Sequence, residues 1–282
     1  MISPVRSELT VSDNVPFGHP SAGSSGGYRF YALTLERPEW KDWRPGQFIM
    51  MRPAGAADSP QWARPFSICR VTSQGLVLFF RVAAPAWERF ARLKSGDKVV
   101  VWGPLGTSFD VRPDTPTLLL ARGIGIAPFA GYADKHPDPA SLFLLFGHTY
   151  PSSNYPTDAM ASRMELENLR DHTPEELEYF HTVMREKMIT YRQRGGICLA
   201  CGPISFLYRV WKDAVELGLP TQLSLEQRMA CGTGVCLGCV TVTSQHWADP
   251  AHAGLPVQTC TSGPVFWASD IDLDARIPGG KG

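Results

Sequence analysis

Four cysteines near the C-terminus constrain this chain more than any other feature. Four residues separate Cys231 from Cys236, two separate Cys236 from Cys239, and twenty separate Cys239 from Cys260. This is the plant-type spacing of a [2Fe-2S] cluster, in which soft thiolate ligands hold both irons. Three glycines inside the stretch suit a loop that wraps a compact inorganic core, because glycine adopts positive φ and lets backbone N–H groups approach the sulfides. The spacing therefore predicts a metal cluster that carries single electrons, ligated by Cys231, Cys236, Cys239 and Cys260.

Two other uses of cysteine fit this stretch less well. Zinc sites usually repeat a two-residue gap in both ligand pairs, whereas here the first gap is four residues and the second short pair is missing. Disulfides are typical of secreted chains, and this chain begins with polar sequence that lacks the apolar core of a signal peptide. We expect a cytoplasmic protein with a cluster, and the alternative is a non-redox zinc-binding interaction protein.

Length and charge bound the architecture and the partners. The 282 residues, 44% of them hydrophobic, suffice for roughly two domains and a small third module. Twenty-seven Lys and Arg residues balance twenty-seven Asp and Glu residues. Neither sign forms a long run, so nucleic acid and anionic membrane surfaces are not expected partners. The longest apolar runs have the length of a buried strand, and no membrane span is predicted.

Residues 1 to 112 consist of short apolar and aromatic segments separated by turn signals, which is typical of an antiparallel β-barrel. Arg64-Pro65-Phe66-Ser67 begins one of these segments. An arginine held by a following proline, with a hydroxyl at the start of a strand, is either an ordinary turn or an anion clamp. A single-electron cluster needs a partner cofactor that splits electron pairs, and a flavin does this. We therefore expect Arg64 to neutralise flavin phosphates.

Residues 113 to 222 follow a different pattern. Continuous apolar strands alternate with helices, which predicts a parallel sheet covered on both faces. Gly123 and Gly125 join an apolar strand to a helix with Pro128 in its first turn. Such a turn suits a dinucleotide pyrophosphate, but the full Gly-x-Gly-x-x-Gly fingerprint is absent, so a nucleotide site and a tight βα turn both stay open. A later buried strand contains Cys198 and ends at Cys201-Gly202-Pro203.

A long helical segment is predicted between these strands. Residues 163 to 193 have helical character almost throughout. Within it, Pro174 opens a run with Thr173 as its cap and Gly195-Gly196 as its stop. In this run Leu177, Phe180, Met184 and Met188 recur at helical spacing, which indicates a face that packs on the core.

The cysteine motif and its flanks resemble a known family. Residues 225 to 239, LEQRMACGTGVCLGC, and residues 260 to 266, CTSGPVF, are similar to the electron transfer subunits of type B dihydroorotate dehydrogenases, which belong to the ferredoxin reductase superfamily. The likeness covers most of the chain, because Arg64-Pro65-Phe66-Ser67 resembles the family's flavin motif. Residues 123 to 128 and 201 to 203 likewise resemble its nicotinamide domain.

The resemblance implies three domains and their cofactors. Residues 1–112 would be an FAD-binding β-barrel, residues 113–222 an NAD-binding α/β domain, and residues 223–282 a small [2Fe-2S] module that faces a separate catalytic subunit in a heteromeric complex. The implied cofactor-binding residues are Arg64, Pro65, Phe66 and Ser67, Phe79, Phe80 and Arg81 beside the flavin, Ala86 and Trp87 at its pyrophosphate, and Gly123, Gly125, Cys201, Gly202 and Pro203 for the nicotinamide nucleotide. No catalytic side chain is assigned, because the flavin supplies the hydride chemistry.

The chain departs from the family in several places. Ala86-Trp87 stands where the family usually has Gly-Thr, and Ala121-Arg122 stands where it usually has glycines. A strand and an acidic turn with glycine and serine, which the family places before its final nucleotide strand, are not found, and the predicted helical segment occupies their place. The gap before Cys260 is also longer than expected.

Two relay hypotheses follow. In the first, a partner oxidoreductase exchanges single electrons with the cluster, and FAD collects two of them and exchanges a hydride with NAD(H) or NADP(H). In the second, which rests on the missing turn, nicotinamide binding has been lost. Electrons then pass only between protein partners, as in hydrogenase- or sulfite-reductase-type complexes.

Overall fold

Two sheets and a loop-rich lobe make up the chain, for which a computed structural model describes residues 5–20, 28–40, 42–55 and 63–275. The first four residues, which belong to the polar start discussed above, lie outside the described residues. Among the described ranges, no helix combines the length and the apolar character needed to cross a bilayer.

The N-terminal region is a curled antiparallel sheet. Its strands are β1 (Val5–Phe17), β2 (Phe30–Leu35), β3 (Phe48–Pro53), β4 (Arg64–Ser67), β5 (Arg70–Val71), β6 (Leu76–Arg81) and β7 (Lys98–Leu105). They lie in the order β4-β3-β7-β1-β2-β6-β5. The sheet curls because β1 pairs with β7 through its first half and with β2 through its second. The antiparallel barrel prediction is confirmed.

Strand β1 is not predicted by the sequence pattern. Only Leu9 and Val11 of its thirteen residues are buried, so its apolar alternation is short and weak. It is held by pairing on both edges, which is a long-range effect. Helix α1 (Pro85–Ala91) follows β6 and inserts Phe90 into the barrel core.

The second region is a parallel sheet. Its strands are β8 (Thr117–Arg122), β9 (Phe143–His148), β10 (Glu165–Arg170), β11 (Ile197–Cys201) and β12 (Thr221–Ser224), and its helices are α2 (Ala127–Lys135), α3 (Thr157–Ala161), α4 (Pro174–Gln193) and α5 (Ile204–Leu217). The order is β10-β9-β8-β11-β12. Helices α4 and α5 cover one face, and α2 with part of the barrel covers the other, as predicted. Strand order reverses between β8 and β11, so the carboxyl ends of these two strands border a crevice suited to a ligand.

The helix predicted over residues 163 to 193 is wrong at its start. Residues Glu165–Arg170 form β10, a parallel edge strand beside β9, and α4 begins only at Pro174. The strand has two glutamates, an arginine and two leucines, which are good helix formers, and it owes its conformation to pairing on one edge. The predicted core face of α4 is confirmed, because Phe180, Met184 and Met188 are fully buried.

The C-terminal lobe is attached to both sheets. It contains β13 (Val240–Val242), β14 (Pro256–Gln258) and α6 (Thr259–Ser262), and β15 (Val265–Trp267) joins the parallel sheet antiparallel to β12. Strand β12 therefore crosses the predicted boundary between residues 222 and 223. The hydroxyl of Thr107, just after β7, donates to the Val265 carbonyl at 2.8 Å and ties the lobe to the barrel.

Candidate electron-transfer site

The four predicted cluster ligands lie together as two pairs. Cys231 Sγ and Cys236 Sγ are 3.3 Å apart. Burial, together with the neighbouring Cys239 thiol, raises the pKa of Cys260 to about 12. The backbone N–H of Gly234 donates to Cys260 Sγ at 3.2 Å and connects the two pairs.

This paired arrangement fits a two-iron cluster. In a [2Fe-2S] cluster each iron takes two thiolates in addition to the bridging sulfides. A structural zinc site instead needs four ligands around one ion. Two separate thiol pairs match the ligands of two irons better than those of a single zinc ion.

Backbone N–H groups are directed at the sulfurs. Thr233 N and Cys236 N donate to Cys231 Sγ at 3.4 and 3.5 Å. Burial would raise the pKa of Cys231, but these hydrogen bonds lower it to about 6. The thiolate is the form that binds metal, so the loop prepares this residue as a ligand. The loop reaches this shape with positive φ at Gly232, Gly234 and Leu237, and Leu237 is the only non-glycine residue with positive φ among the described residues.

The two pairs differ in exposure. Cys239 and Cys260 are 2% and 1% exposed, whereas Cys231 is half-buried and Cys236 is exposed. Two apolar side chains flank Cys236 in solvent, since Val235 is 83% exposed and Leu237 is 63% exposed. The cluster site therefore has an inner side toward the protein and an outer side toward solvent.

The inner side rests on the barrel. Phe48 and Met50 of β3 and Leu105 of β7 pack with Cys239 and Cys260 in one buried cluster. Trp102 Nε1 donates to the Cys231 carbonyl at 2.9 Å. Gly232 lies so close to β3 that a Cβ there would be 2.4 Å from Met50 Cγ.

The predicted flavin motif divides between two faces of the sheet. Phe48 pairs with Ser67 and Met50 pairs with Pro65, and residues directly opposite each other share a face. Pro65 and Ser67 therefore lie on the face that carries the cluster lobe. Arg64 and Phe66 alternate onto the other face, where Arg64 is half-buried at the end of the strand.

The aromatic residues of the prediction do not line a cleft. Phe66 is 3% exposed, and its ring lies 5.6 Å from that of Phe80, 5.2 Å from that of Trp87 and 5.0 Å from that of Phe90. Phe66 and Phe80 thus form the barrel core, and Trp87 is half-buried against it. The buried rings of Phe66 and Phe80 leave their backbone atoms to contact a cofactor.

The first turn of α1 offers fewer donors than predicted. Trp87 N–H already donates to the Ala84 carbonyl at 2.9 Å, and Pro85 has no N–H. Ala86 is therefore the predicted pyrophosphate contact that keeps a free N–H in this turn.

Phe79 and Arg81 point to the opposite face of β6, toward the nucleotide domain. The Phe79 ring lies 5.4 Å from the Phe17 ring. Arg81 is exposed, and its guanidinium carbon is 5.8 Å from the centre of the Tyr150 ring. Burial raises the pKa of Glu226, just beyond β12, and the nearby charge of Arg81 partly offsets this increase. A barrel arginine and a lobe carboxylate are thus close enough to interact electrostatically.

The predicted nucleotide residues come together at the switch point between β8 and β11. A Cβ on Gly125 would lie 2.0 Å from the Cys201 carbonyl oxygen, so only glycine fits this contact. Gly123 has φ +56° and open space beside its Cα. Pro203 is the N-cap residue of α5, after Gly202. Burial raises the pKa of Cys201 to about 12, so this thiol is a structural group and not a reactive one.

An ion pair that sequence reasoning missed lies beside this turn. Arg122 Nε is 2.5 Å from Asp171 Oδ2, and the Asp171 side chain has no exposed surface. Thr149 Oγ1 donates to Asp171 Oδ1 at 2.7 Å. Asp171 directly follows β10, so the missing strand and an acid are present, but His172, Thr173 and Pro174 follow in place of the glycine and serine. Recognition of β10 as a strand would have revealed Asp171.

A cavity of about 690 Å³ lies elsewhere, between the C-terminal half of α5, the start of β12 and the C-terminal lobe. It is at the amino end of the parallel strands, which is the edge opposite the switch point. None of the predicted cofactor-binding residues lines this cavity. The cavity is therefore not evidence for the cofactor site.

Comparisons with known proteins agree with this geometry. Residues 226–272 match the family described as the iron-sulfur cluster binding domain of dihydroorotate dehydrogenase B. The chain is 31% identical over 258 residues to the dihydroorotate dehydrogenase B (NAD(+)) electron transfer subunit of Listeria welshimeri, covering 87% of this chain and 94% of the relative. It is 27% identical over 243 residues to the subunit of the same name from Caldanaerobacter subterraneus subsp. tengcongensis, covering 86% and 92%.

Solved structures show the same fold. An NADH-dependent reduced ferredoxin-NADP oxidoreductase aligns with a TM-score of 0.74 and 22% identity, covering 94% of this chain and 90% of that chain. The ferredoxin reductase of carbazole 1,9a-dioxygenase aligns with a TM-score of 0.59 and 18% identity, covering 78% and 68%. The predicted combination of an antiparallel barrel, an α/β domain and a C-terminal cluster lobe is confirmed.

Proposed function

This chain belongs to the electron transfer subunits of dihydroorotate dehydrogenase B, and from this premise we propose that it relays electrons between a catalytic oxidoreductase subunit and a nicotinamide dinucleotide. Its relatives have NAD(+) in their name. One observation carries the proposal. The four cysteines lie together as two pairs, and the inner pair packs against the face of the barrel on which Pro65 and Ser67 lie. FAD and a [2Fe-2S] cluster, when bound, supply the conversion between single electrons and hydride.

We assign the cofactors to residues by domain. Cys231, Cys236, Cys239 and Cys260 of the lobe, residues 223–282, hold the cluster. The barrel, residues 1–112, holds FAD: Arg64 and Arg81 supply positive charge, Ser67 a hydroxyl, Ala86 a backbone donor, and Pro65, Phe79 and the core rings Phe66, Phe80 and Trp87 shape the platform. The α/β domain, residues 113–222, holds the nicotinamide nucleotide at Gly123, Gly125, Cys201, Gly202 and Pro203. No side chain of this chain is assigned a proton-transfer role.

The exposed side of the cluster loop suits the catalytic subunit. Val235 and Leu237 present apolar surface on both sides of Cys236, where burial by a partner is favourable. The inner pair, Cys239 and Cys260, is covered by the barrel. Electrons would therefore enter or leave through the outer side and reach the flavin through the inner side.

The geometry weakens the alternative without a nicotinamide. That hypothesis rested on a missing strand and a missing acidic turn with glycine and serine, of which β10 supplies the strand and Asp171 the acid. We also infer a cytoplasmic location, because all seven cysteines are free in the structure, and the thiolate ligands need a reducing compartment.

The test is purification without oxygen, followed by analysis of flavin, iron and acid-labile sulfide. We expect a yellow-brown protein with FAD and two irons per chain, and flavin bleaching when a reduced nicotinamide dinucleotide is added. Cys236→Ser should remove the cluster and leave the FAD.

The matched control is Cys69→Ala, which replaces a buried cysteine outside the cluster lobe. It should keep both cofactors. A Cys236→Ser protein with unchanged iron content, or a wild-type protein with zinc in place of iron, would rule the proposal out.

A further inference from the structure

The ion pair beside the glycine turn changes what the nucleotide crevice can accept. Arg122 is the last residue of β8 and directly precedes Gly123. Its guanidinium reaches past the end of β9 to Asp171, which directly follows β10. The pair therefore lies at the carboxyl edge of the sheet, next to the turn where a dinucleotide pyrophosphate would bind.

The carboxylate of this pair is fully engaged. One oxygen accepts from Arg122 Nε at 2.5 Å, and the other accepts from Thr149 Oγ1 at 2.7 Å. In dinucleotide sites a free acid accepts the ribose 2′-hydroxyl of NAD, whereas a nearby arginine accommodates the 2′-phosphate of NADP. Asp171 has no exposed surface, and its charge is balanced by Arg122. It is thus poorly suited to bind a 2′-hydroxyl or to repel a 2′-phosphate.

The arginine of the pair keeps unused donors. Only Nε of Arg122 has a hydrogen-bond partner among the described residues, which leaves Nη1 and Nη2 free to bind an anion. The side chain is 19% exposed, so part of it is open to solvent at the carboxyl edge of the sheet. The neighbouring Gly123 has open space beside its Cα.

The other charges around Asp171 do not cancel this effect. Arg170 and His172 are its chain neighbours, and both are exposed. One acid in the first turn of α4, Glu176, accepts from the backbone N–H groups of His172 and Thr173 at 2.8 and 3.0 Å and lies 3.9 Å from Arg170. The acid is thus occupied, and the local balance at the end of β10 favours an anion.

We propose that the Arg122–Asp171 pair makes this chain select the 2′-phosphorylated nicotinamide dinucleotide, NADPH, over NADH. The inference rests on the nicotinamide step of the proposed function, and it departs from the NAD(+) in the names of the relatives. Arg122 Nη1 and Nη2 bind the 2′-phosphate, and Asp171 holds the guanidinium in place as a positioning residue.

The experiment measures anaerobic flavin reduction in the full-length holoprotein as kcat/KM for NADPH and for NADH. We expect wild type to favour NADPH by at least tenfold. Arg122→Gln removes a charged hydrogen bond to the phosphate, so it should lower kcat/KM for NADPH by roughly 10- to 100-fold. The value for NADH should fall less, because that nucleotide lacks the phosphate, so the NADPH-to-NADH ratio of kcat/KM should decrease.

Two further variants separate this role from a structural one. Arg122→Lys keeps the charge and should retain most of the NADPH preference. Arg185→Gln removes an arginine from another buried carboxylate in the same domain, Asp213, which keeps Arg209 as a partner. It should leave the NADPH-to-NADH ratio unchanged.

Inhibition of wild type gives a measurement that needs no variant. 2′-AMP should compete with the dinucleotide at a lower concentration than 5′-AMP does. A wild-type preference for NADH, equal inhibition by the two mononucleotides, or an Arg122→Gln effect of equal size on both dinucleotides overturns the inference alone. Failure of both dinucleotides to reduce the flavin in protein that contains FAD and iron overturns it together with the nicotinamide step.

Discussion

The cluster loop and the nucleotide crevice are both bends of backbone that hold a ligand, but they are built in different ways. Three of the four cluster ligands, and every backbone donor that points at them, lie within nine consecutive residues, 231 to 239. The crevice is assembled from the ends of separate strands, and its ion pair joins residues 49 positions apart in the chain. Local spacing therefore specifies the first site, whereas sheet order specifies the second.

The largest expected effect comes from the one cluster ligand that is not local. Cys260→Ser removes the sulfur that α6 brings to the loop from twenty residues beyond Cys239. We expect iron and acid-labile sulfide to fall to background, because the oxygen of serine is a poor substitute for a soft thiolate. Iron and sulfide analysis of anaerobically purified protein measures this.

Cys198→Ala is the matched control, since Cys198 is a fully buried cysteine of β11. It should keep the cluster. Retention of the full cluster in Cys260→Ser would show that residues 231 to 239 are sufficient to bind it. The cluster site would then be entirely local in sequence, unlike the nucleotide crevice.

The second prediction concerns the crevice. Asp171→Ala leaves Arg122 without its partner at the end of β8, and the loss of one member of a buried ion pair costs about 3–5 kcal/mol of stability. Chemical denaturation followed by far-ultraviolet circular dichroism gives the free energy of unfolding.

Asp110→Ala is the control, because Asp110 and Arg112 form an exposed pair with 43% of each side chain accessible. Its cost should stay below about 1 kcal/mol. Equal costs for the two substitutions would mean that the crevice does not depend on its long-range ion pair.

Sequence reasoning groups residues that the structure also brings together where the predicted site is local, and it failed where the structure depends on pairing register. The predicted cluster ligands come from spacing alone, and the glycine turn comes from an apolar strand that runs into a helix. Strand β10 could not be predicted, because good helix formers occupy an edge strand that only β9 holds in place. The inward direction of Phe66 and Phe80 could not be predicted either, since it depends on which residues face each other across β3, β4 and β6.

The third prediction tests how far the cluster loop depends on its surroundings. Gly232 has φ +71°, and a Cβ there would be 2.4 Å from Met50 Cγ on the barrel. Gly232→Ala should cost about 2 kcal/mol, from left-handed backbone strain and overpacking. The midpoint temperature of thermal unfolding and the iron content should both decrease.

Gly238→Ala is the internal control in the same loop. Its Cβ would meet only Cys236 Sγ, at an ordinary contact distance of 3.6 Å, and its φ is not positive. The cost should be less than about 0.5 kcal/mol. If Gly232→Ala is equally mild, the loop is independent of the barrel, and its shape is determined by its own residues alone.

The smallest effect is expected at Leu237, where the loop keeps a leucine in a conformation that favours glycine. Its φ is +54°, a strain of about 1 kcal/mol for a residue with a side chain, and the side chain is 63% exposed. Leu237→Gly should therefore raise the free energy of unfolding by about 1 kcal/mol. It should also slow electron exchange with the catalytic subunit, because apolar docking surface is lost. Denaturation of the isolated chain and reduction kinetics in the reconstituted complex measure the two effects separately.

Val235→Ser separates the two causes, since Val235 has no positive φ and is 83% exposed. It should slow electron exchange without stabilising the chain. If Leu237→Gly stabilises the chain and leaves exchange unchanged, Leu237 serves neither stability nor docking, and the outer side of the cluster is not the partner surface. In the other case, Leu237→Gly gains stability and loses electron exchange. This outcome would show that the strained leucine is retained for a contact with the catalytic subunit, which the cluster loop cannot make with residues of its own chain.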